Sequence, residues 1–118
     1  MFEPARDTDF THLEPRFAER LQRVMARMRA RGFDPVLFEG RRSLKRQEYL
    51  YSIGRTRQKN RKPVTWTLQS KHLRGLAADI ISKKRGWMWP EFYTALGQCA
   101  RIEGLQQISR EQCHIEAR

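Results

Sequence analysis

Between Pro15 and Gly32, Phe17, Leu21, Val24 and Met28 return at helical spacing, while Arg16, Arg20, Arg23, Arg27 and Arg31 mark the opposite side. An apolar stripe of that kind has to be buried, so the rest of the chain must supply a second layer for it to pack on. Thr11 as N-cap, Glu14 three residues later and Pro15 in the first turn predict a helix over about His12 to Ala30, with Gly32 as its stop. Beyond it the apolar segments are mostly short. Pro35–Glu39, Val64–Leu68, Leu76–Ile81, Leu105–Ile108 and Cys113–Glu116 read as strands. Ser43 opens a second helical stretch to about Gly54, and Arg55–Pro63 is a basic, exposed loop. Trp89-Pro90-Glu91 starts a last helix with Phe92, Leu96, Cys99 and Ala100 turned inward. The expected architecture is α+β, a small antiparallel sheet with helices before and after it. At 118 residues and 39% hydrophobic content the chain can bury one modest core, which points to a single domain, residues 1–118.

The charge is strongly one-sided: 24 Lys and Arg against 13 Asp and Glu, a formal net charge of +11. Such a surface attracts polyanions, and nucleic acid, anionic membranes and the phosphate or carboxylate polymers of bacterial envelopes would all satisfy it. Charge does not choose among them. The opening residues MFEPARDTDF contain no apolar run, so no signal peptide or transmembrane segment is read there and synthesis is expected to end in the cytoplasm. Cys99 and Cys113 lack a C-x-x-C spacing and make no disulfide framework; they read as two partly buried thiols.

The stretch SKHLRGLAADI, Ser70 to Ile80, places His72 and Asp79 on either side of Gly75, where a tight reversal can bring the two side chains together. The chain has three His in all, and another, His114, stands near the C-terminus three residues after Glu111. Zinc accepts His nitrogen and carboxylate oxygen, and a catalytic zinc keeps three protein ligands and one open position. Glu111 is of the right chemical type for a general base. Spacing alone leaves open that these are ordinary hydrogen-bonded structural residues, because each pair arises often by chance.

The order of the motifs says more. Ser70-x-His72-x-x-Gly75-x-Ala77-x-Asp79, followed by Glu111-x-x-His114-Ile-Glu116, resembles the zinc signature of the D-alanyl-D-alanine carboxypeptidase and L-alanyl-D-glutamate endopeptidase superfamily. Upstream, Glu39-Gly40-Arg41-Arg42-Ser43, Gln47, and Leu50-Tyr51-x-x-Gly54-Arg55-Thr56 are similar to the corresponding run of phage-type members, and Val64-Thr65 sits where their Val-Thr precedes the Ser-x-His motif.

The resemblance implies a hedgehog/D-Ala-D-Ala peptidase-like fold, one Zn2+ ion held by His72, Asp79 and His114, and Glu111 as catalytic acid/base. It implies Arg42 as the cation at the substrate or developing oxyanion, with Arg41 as a stand-in, and Ser70 and Gln47 as hydrogen-bonding supports of the site. The implied function is hydrolysis of the peptidoglycan stem peptide. The phage-type motifs favour an L-alanyl-D-glutamate endopeptidase acting as an endolysin, retained in the host cytoplasm until lysis, over a D-alanyl-D-alanine carboxypeptidase. Expected partners are bacterial peptidoglycan and anionic envelope polymers, with no specific nucleic acid and a monomeric state. The chain departs from the family in lacking a Gly-Gly-x-Trp stretch before the final His, in carrying Cys113 where Pro is common, and in having Glu rather than Asp at the catalytic position. Two other readings stand beside it: a basic nucleic-acid-binding module, and a zinc-holding domain of the same fold that binds cell wall without cutting it.

Overall fold

The computed structural model describes residues 2–65 and 67–118. Helix α1 spans Pro15–Ala30 and is capped by Glu14 rather than by Thr11. A residue before proline is pushed out of the helical region. Glu14 is accordingly extended (φ −58°, ψ 132°), and its carboxylate accepts the Arg16 and Phe17 amides at 3.1 and 2.9 Å. Thr11 lies in a separate 3-10 turn, Phe10–His12, capped by Asp9. The predicted stripe of Phe17, Leu21, Val24 and Met28 is buried, joined by Met25.

Strand β1 (Pro35–Glu39) leads to helix α2 (Leu44–Ser52), whose N-cap Ser43 accepts the Arg46 amide at 3.1 Å. Strand β2 (Ala77–Ser82), helix α3 (Pro90–Ile102) and the hairpin of β3 (Leu105–Ile108) and β4 (Glu111–Ala117) complete the chain. The four strands form one antiparallel sheet in the order β1-β2-β4-β3. Successive side chains of a strand point to opposite faces. On one face Ala78, Ile80, Leu105 and Ile115 join Leu21, Val24, Phe92 and Leu96 of α1 and α3 in a single hydrophobic cluster. Each large member of it contributes about 1.5–3 kcal/mol through burial. The alternate positions, Asp79 and His114 among them, are left for the other face. Among the described residues no helix is long and apolar enough to cross a membrane.

One expected strand does not form. Val64, Thr65, Thr67 and Leu68 belong to no strand, and Trp66 lies outside the described residues. Side chains serve this backbone in place of a neighbouring strand: the Thr65 carbonyl accepts from Arg55 at 3.1 Å and the Thr67 carbonyl from Gln47 at 2.5 Å.

Two register shifts matter for the other face. In β1 the pairing moves from Leu37 with Ile80 to Glu39 with Asp79, so Phe38 is an extra residue. Between β3 and β4 it moves from Gln107 with Ile115 to Ile108 with Glu111, which leaves Gln112 to His114 without partners on β3. Bulges of this sort re-aim side chains.

Gly75 ends the 3-10 turn Lys71–Arg74 at φ +69°, and its carbonyl accepts the Glu14 amide at 2.9 Å. A Cβ there would lie 2.9 Å from that amide nitrogen. Gly75→Ala combines left-handed strain with a backbone clash, and we expect it to cost about 2 kcal/mol or more of stability. Thermal unfolding checks this; an unchanged melting temperature would mean that the turn and α1 are not rigidly joined.

Candidate metal centre

His72, Asp79 and His114 are brought together from three elements. Asp79 on β2 and His114 on β4 are direct cross-strand partners on the face away from α1 and α3. His72 comes from the 3-10 turn, where Ser70 Oγ accepts its backbone amide at 3.1 Å and its own carbonyl accepts the Arg42 amide at 2.9 Å. One donor atom from each of the three residues lies within 4.8 Å of the others. The imidazole planes stand edge to face, 4.9 Å apart at 82°.

The hydrogen bonds select which atoms face the centre. His72 Nδ1 sits 2.7 Å from the Gly40 carbonyl, so Nδ1 carries the proton and Nε2 turns inward, 3.5 Å from Asp79 Oδ1. His114 is arranged in the opposite sense: Nε2 donates to Glu116 Oε1 at 2.9 Å and Nδ1 faces Asp79 Oδ1 at 3.5 Å. Both inward nitrogens are buried without a hydrogen-bond partner. Two orphaned imidazole lone pairs flanking one carboxylate oxygen are costly in a fold unless a cation completes them. Ligands of a tetrahedral zinc with bonds of about 2.0–2.1 Å lie roughly 3.3 Å apart, close to the 3.5 Å from each imidazole nitrogen to Asp79 Oδ1, so the residues fit the ion.

Without a cation the cluster can satisfy itself only by taking up a proton, as the shifts of Asp79 and His114 show. Burial by itself would raise the Asp79 carboxyl, but the His114 and His72 imidazoles beside it outweigh burial and hold it below the usual carboxylate range. Burial opposes protonation of His114, yet Asp79 and then Glu116 overcome it and raise its pKa. Burial, with Asp79 and Glu111 nearby, pushes the Cys113 thiol up, and its side chain packs against the hydrophobic cluster.

Glu111 Oε2 stands 3.4 Å from His114 Nδ1, with about a third of its side chain exposed (36%). In a regular strand residues three apart face opposite ways; the bulge in β4 turns Glu111 and His114 to the same side. Arg42 is buried. Its Nη2 donates to Glu39 at 2.8 Å and lies 3.5 Å from Asp79 Oδ2, and its Nη1 donates to Gln47 at 2.8 Å. It lines the cavity above the site, whereas its neighbour Arg41 is exposed and does not. Gln47 is fully buried and ties Arg42 to Thr65 and Thr67. The cavity has a volume of about 830 Å3 and includes Ser70, His72, Asp79, Glu111 and His114 in its walls.

Sequence reasoning missed three supporting groups. Glu39, the cross-strand partner of Asp79, bonds both Arg42 and Arg46. Glu116 anchors His114 and is itself held by Lys71 Nζ at 2.9 Å and Gln106 Nε2 at 2.8 Å. The Gly40 carbonyl fixes His72. Glu116 was findable, since on a strand the residue two after a ligand shares its face. Glu116→Ala is expected to weaken zinc binding about 10–100-fold, as removal of an outer partner of a ligating His does. Chelator competition measures this; a change under two-fold would show that Glu116 does not hold His114.

Two His and one Asp converging on one face of a four-stranded antiparallel sheet are the donor set of a catalytic zinc, which takes three protein ligands and keeps a fourth position open. The sequence profile of the VanY family, described as D-alanyl-D-alanine carboxypeptidase, matches residues 11–113, and the chain belongs to that family. It is thus a zinc peptidase of the peptidoglycan-hydrolase superfamily. Solved structures share the fold. A vancomycin-resistance D,D-pentapeptidase VanY from a VanB-type cassette, in complex with Zn(II), is 21% identical with a TM-score of 0.71, covering 89% of this chain and 72% of its own. The L-Ala D-Glu endopeptidase ChiX of Serratia marcescens is 21% identical with a TM-score of 0.63, over 99% of this chain and 89% of its own. The D,D-dipeptidase VanXYg, in complex with a D-Ala-D-Ala phosphinate analog, is 24% identical with a TM-score of 0.68, over 89% of this chain and 50% of its own. No curated protein sequence matches this chain.

Proposed function

We propose that the chain cuts the stem peptide of bacterial peptidoglycan at the L-alanyl-D-glutamate bond, as an endopeptidase of phage-type lysis. The observation that carries this reading is a cleft that continues on both sides of Glu111. The main cavity meets a smaller one of about 390 Å3, and the two share Trp87, Arg110, Glu111 and Cys113. An endopeptidase needs room beyond the scissile bond in both directions, whereas a carboxypeptidase needs one end closed around a terminal carboxylate. The β3–β4 turn is only Ser109-Arg110, without the longer stretch common in the family, and leaves that second side open.

In this reading His72 Nε2, Asp79 and His114 Nδ1 hold the ion. Zinc, when bound, supplies Lewis acidity toward a carbonyl oxygen and toward water. Glu111 takes a proton from the attacking water on its carboxylate and returns it to the leaving amine of D-glutamate as the C–N bond breaks. Its partial exposure at the cavity wall gives it access to both. Arg42 acts first through Asp79, whose Oδ2 it faces, leaving Oδ1 to the centre. Its fixed charge on the cavity wall also favours the negative charge that develops on the substrate. Ser70 and Gln47 keep His72 and Arg42 in place. The net charge of +11 draws the enzyme to the anionic envelope once the host membrane is breached.

The family's own description as a carboxypeptidase favours a second reading, release of terminal D-alanine. Mass spectrometry of peptidoglycan digested by the zinc-loaded protein separates the two. New N-terminal D-glutamate is the expected product; freed D-alanine without it would replace the endopeptidase reading, and neither product would end both.

A further inference from the structure

We propose that Trp87 forms a saccharide subsite beside the catalytic centre, so that a sugar-linked stem peptide binds better than the free peptide. This rests on the endopeptidase reading above and names the substrate end that the second half of the cleft receives. Trp87 is half exposed (50%), lies outside the hydrophobic cluster and lines both cavities. Its ring packs edge to face on Phe38, centroids 4.8 Å apart at 75°, and the Arg6 guanidinium covers the Phe38 ring at 3.8 Å. Phe38 reaches this position because it is the extra residue of the β1 bulge.

The turn that delivers Trp87 is tied down at several points. Ser82 Oγ donates to Asp34 at 2.6 Å and accepts the Arg85 amide at 3.0 Å. The Lys84 amide donates to Asp34 at 2.9 Å, and Tyr93 Oη donates to the Gly86 carbonyl at 3.1 Å. A large indole held half in water at the rim of a reaction cleft is set up to be covered by substrate. The stem peptide offers no surface of matching size, since its side chains are methyls, carboxylates and amines. The extended apolar surfaces of peptidoglycan are the C–H faces of its sugar rings, whose hydroxyls would meet the polar Ser109 and Gln112 of the smaller cavity. In an L-alanyl-D-glutamate substrate only one residue, about 3.5 Å of chain, separates the scissile bond from the sugar-linked lactyl group. For a D-alanyl-D-alanine bond the sugar is several residues further off.

The test compares binding of N-acetylmuramyl-L-Ala-D-Glu with that of L-Ala-D-Glu to the zinc-loaded Glu111→Gln protein, by titration calorimetry. The sugar-bearing probe is expected to bind about ten-fold tighter, equivalent to about 1.4 kcal/mol. Trp87→Ala should bring the ratio near one, and Trp87→Tyr should restore most of it. Equal affinity for the two probes, or an undiminished ratio in Trp87→Ala, overturns the subsite. Products of the active enzyme are scored separately. A sugar preference that depends on Trp87, seen together with D-alanine release, would sink the endopeptidase reading while keeping the subsite.

Discussion

Glu111→Gln is expected to lower peptidoglycan hydrolysis about 10³-fold, within the range that a positioned acid/base supplies, while the protein still carries one zinc per chain. The physical grounds are separate for the two halves of that result. Glutamine keeps the size and shape of the side chain and removes its capacity to take a proton. The clustered donor atoms come from His72, Asp79 and His114, and Glu111 is not one of them. Its carboxylate reaches His114 Nδ1 only at 3.4 Å, from a strand end with a third of the side chain in water, so the fold does not depend on its charge. Turnover measured alongside metal content tests both halves together. A rate loss under ten-fold removes Glu111 as the proton carrier, and loss of zinc would make it a ligand.

Glu39→Gln is expected to destabilise the protein by about 3–5 kcal/mol, the cost of breaking a buried ion pair by deleting one partner. Glu39 is 2% exposed, and its two oxygens receive Arg42 and Arg46, themselves 8% and 5% exposed. With the carboxylate gone, two guanidiniums remain out of water beside a neutral amide. A fall in melting temperature of about 10 °C or more would follow for a domain of this size. Zinc affinity should fall as well, because Arg42 spans Glu39 and Asp79 and would turn toward Asp79 as its remaining carboxylate. Melting unchanged within a few degrees would show that the cluster opens to solvent.

The grouping of His72, Asp79 and His114 was legible in the sequence because His is rare here. Three His in 118 residues leave few ways to build a site, and Gly75 advertises a reversal between His72 and Asp79. The regular elements were legible too: the stripe of α1, the apolar content of β2 and Pro90 at the start of α3 all state a local preference that packing then obeyed. Val64–Leu68 misled because β-branched composition describes a residue's fit to a pleated surface, and here no neighbouring strand offers one. Thr11 misled because a capping pattern four residues upstream cannot compete with the proline that forces Glu14 out of the helix.

By itself the sequence determined the helical and strand periods, the supply of His and carboxylate groups from which a site can be built, and the cationic surface, all of which depend on residue type and short spacing. The tertiary structure alone decided what those residues face. Glu111 and His114 meet because a bulge overrides strand alternation, and Glu39 comes beside Asp79 because another bulge shifts β1 by one residue. The imidazole tautomers follow from a carbonyl 32 residues away in one case and from a carboxylate on the same strand in the other. Register and long-range hydrogen bonds are properties of paired chain segments, so no single stretch of the sequence carries them.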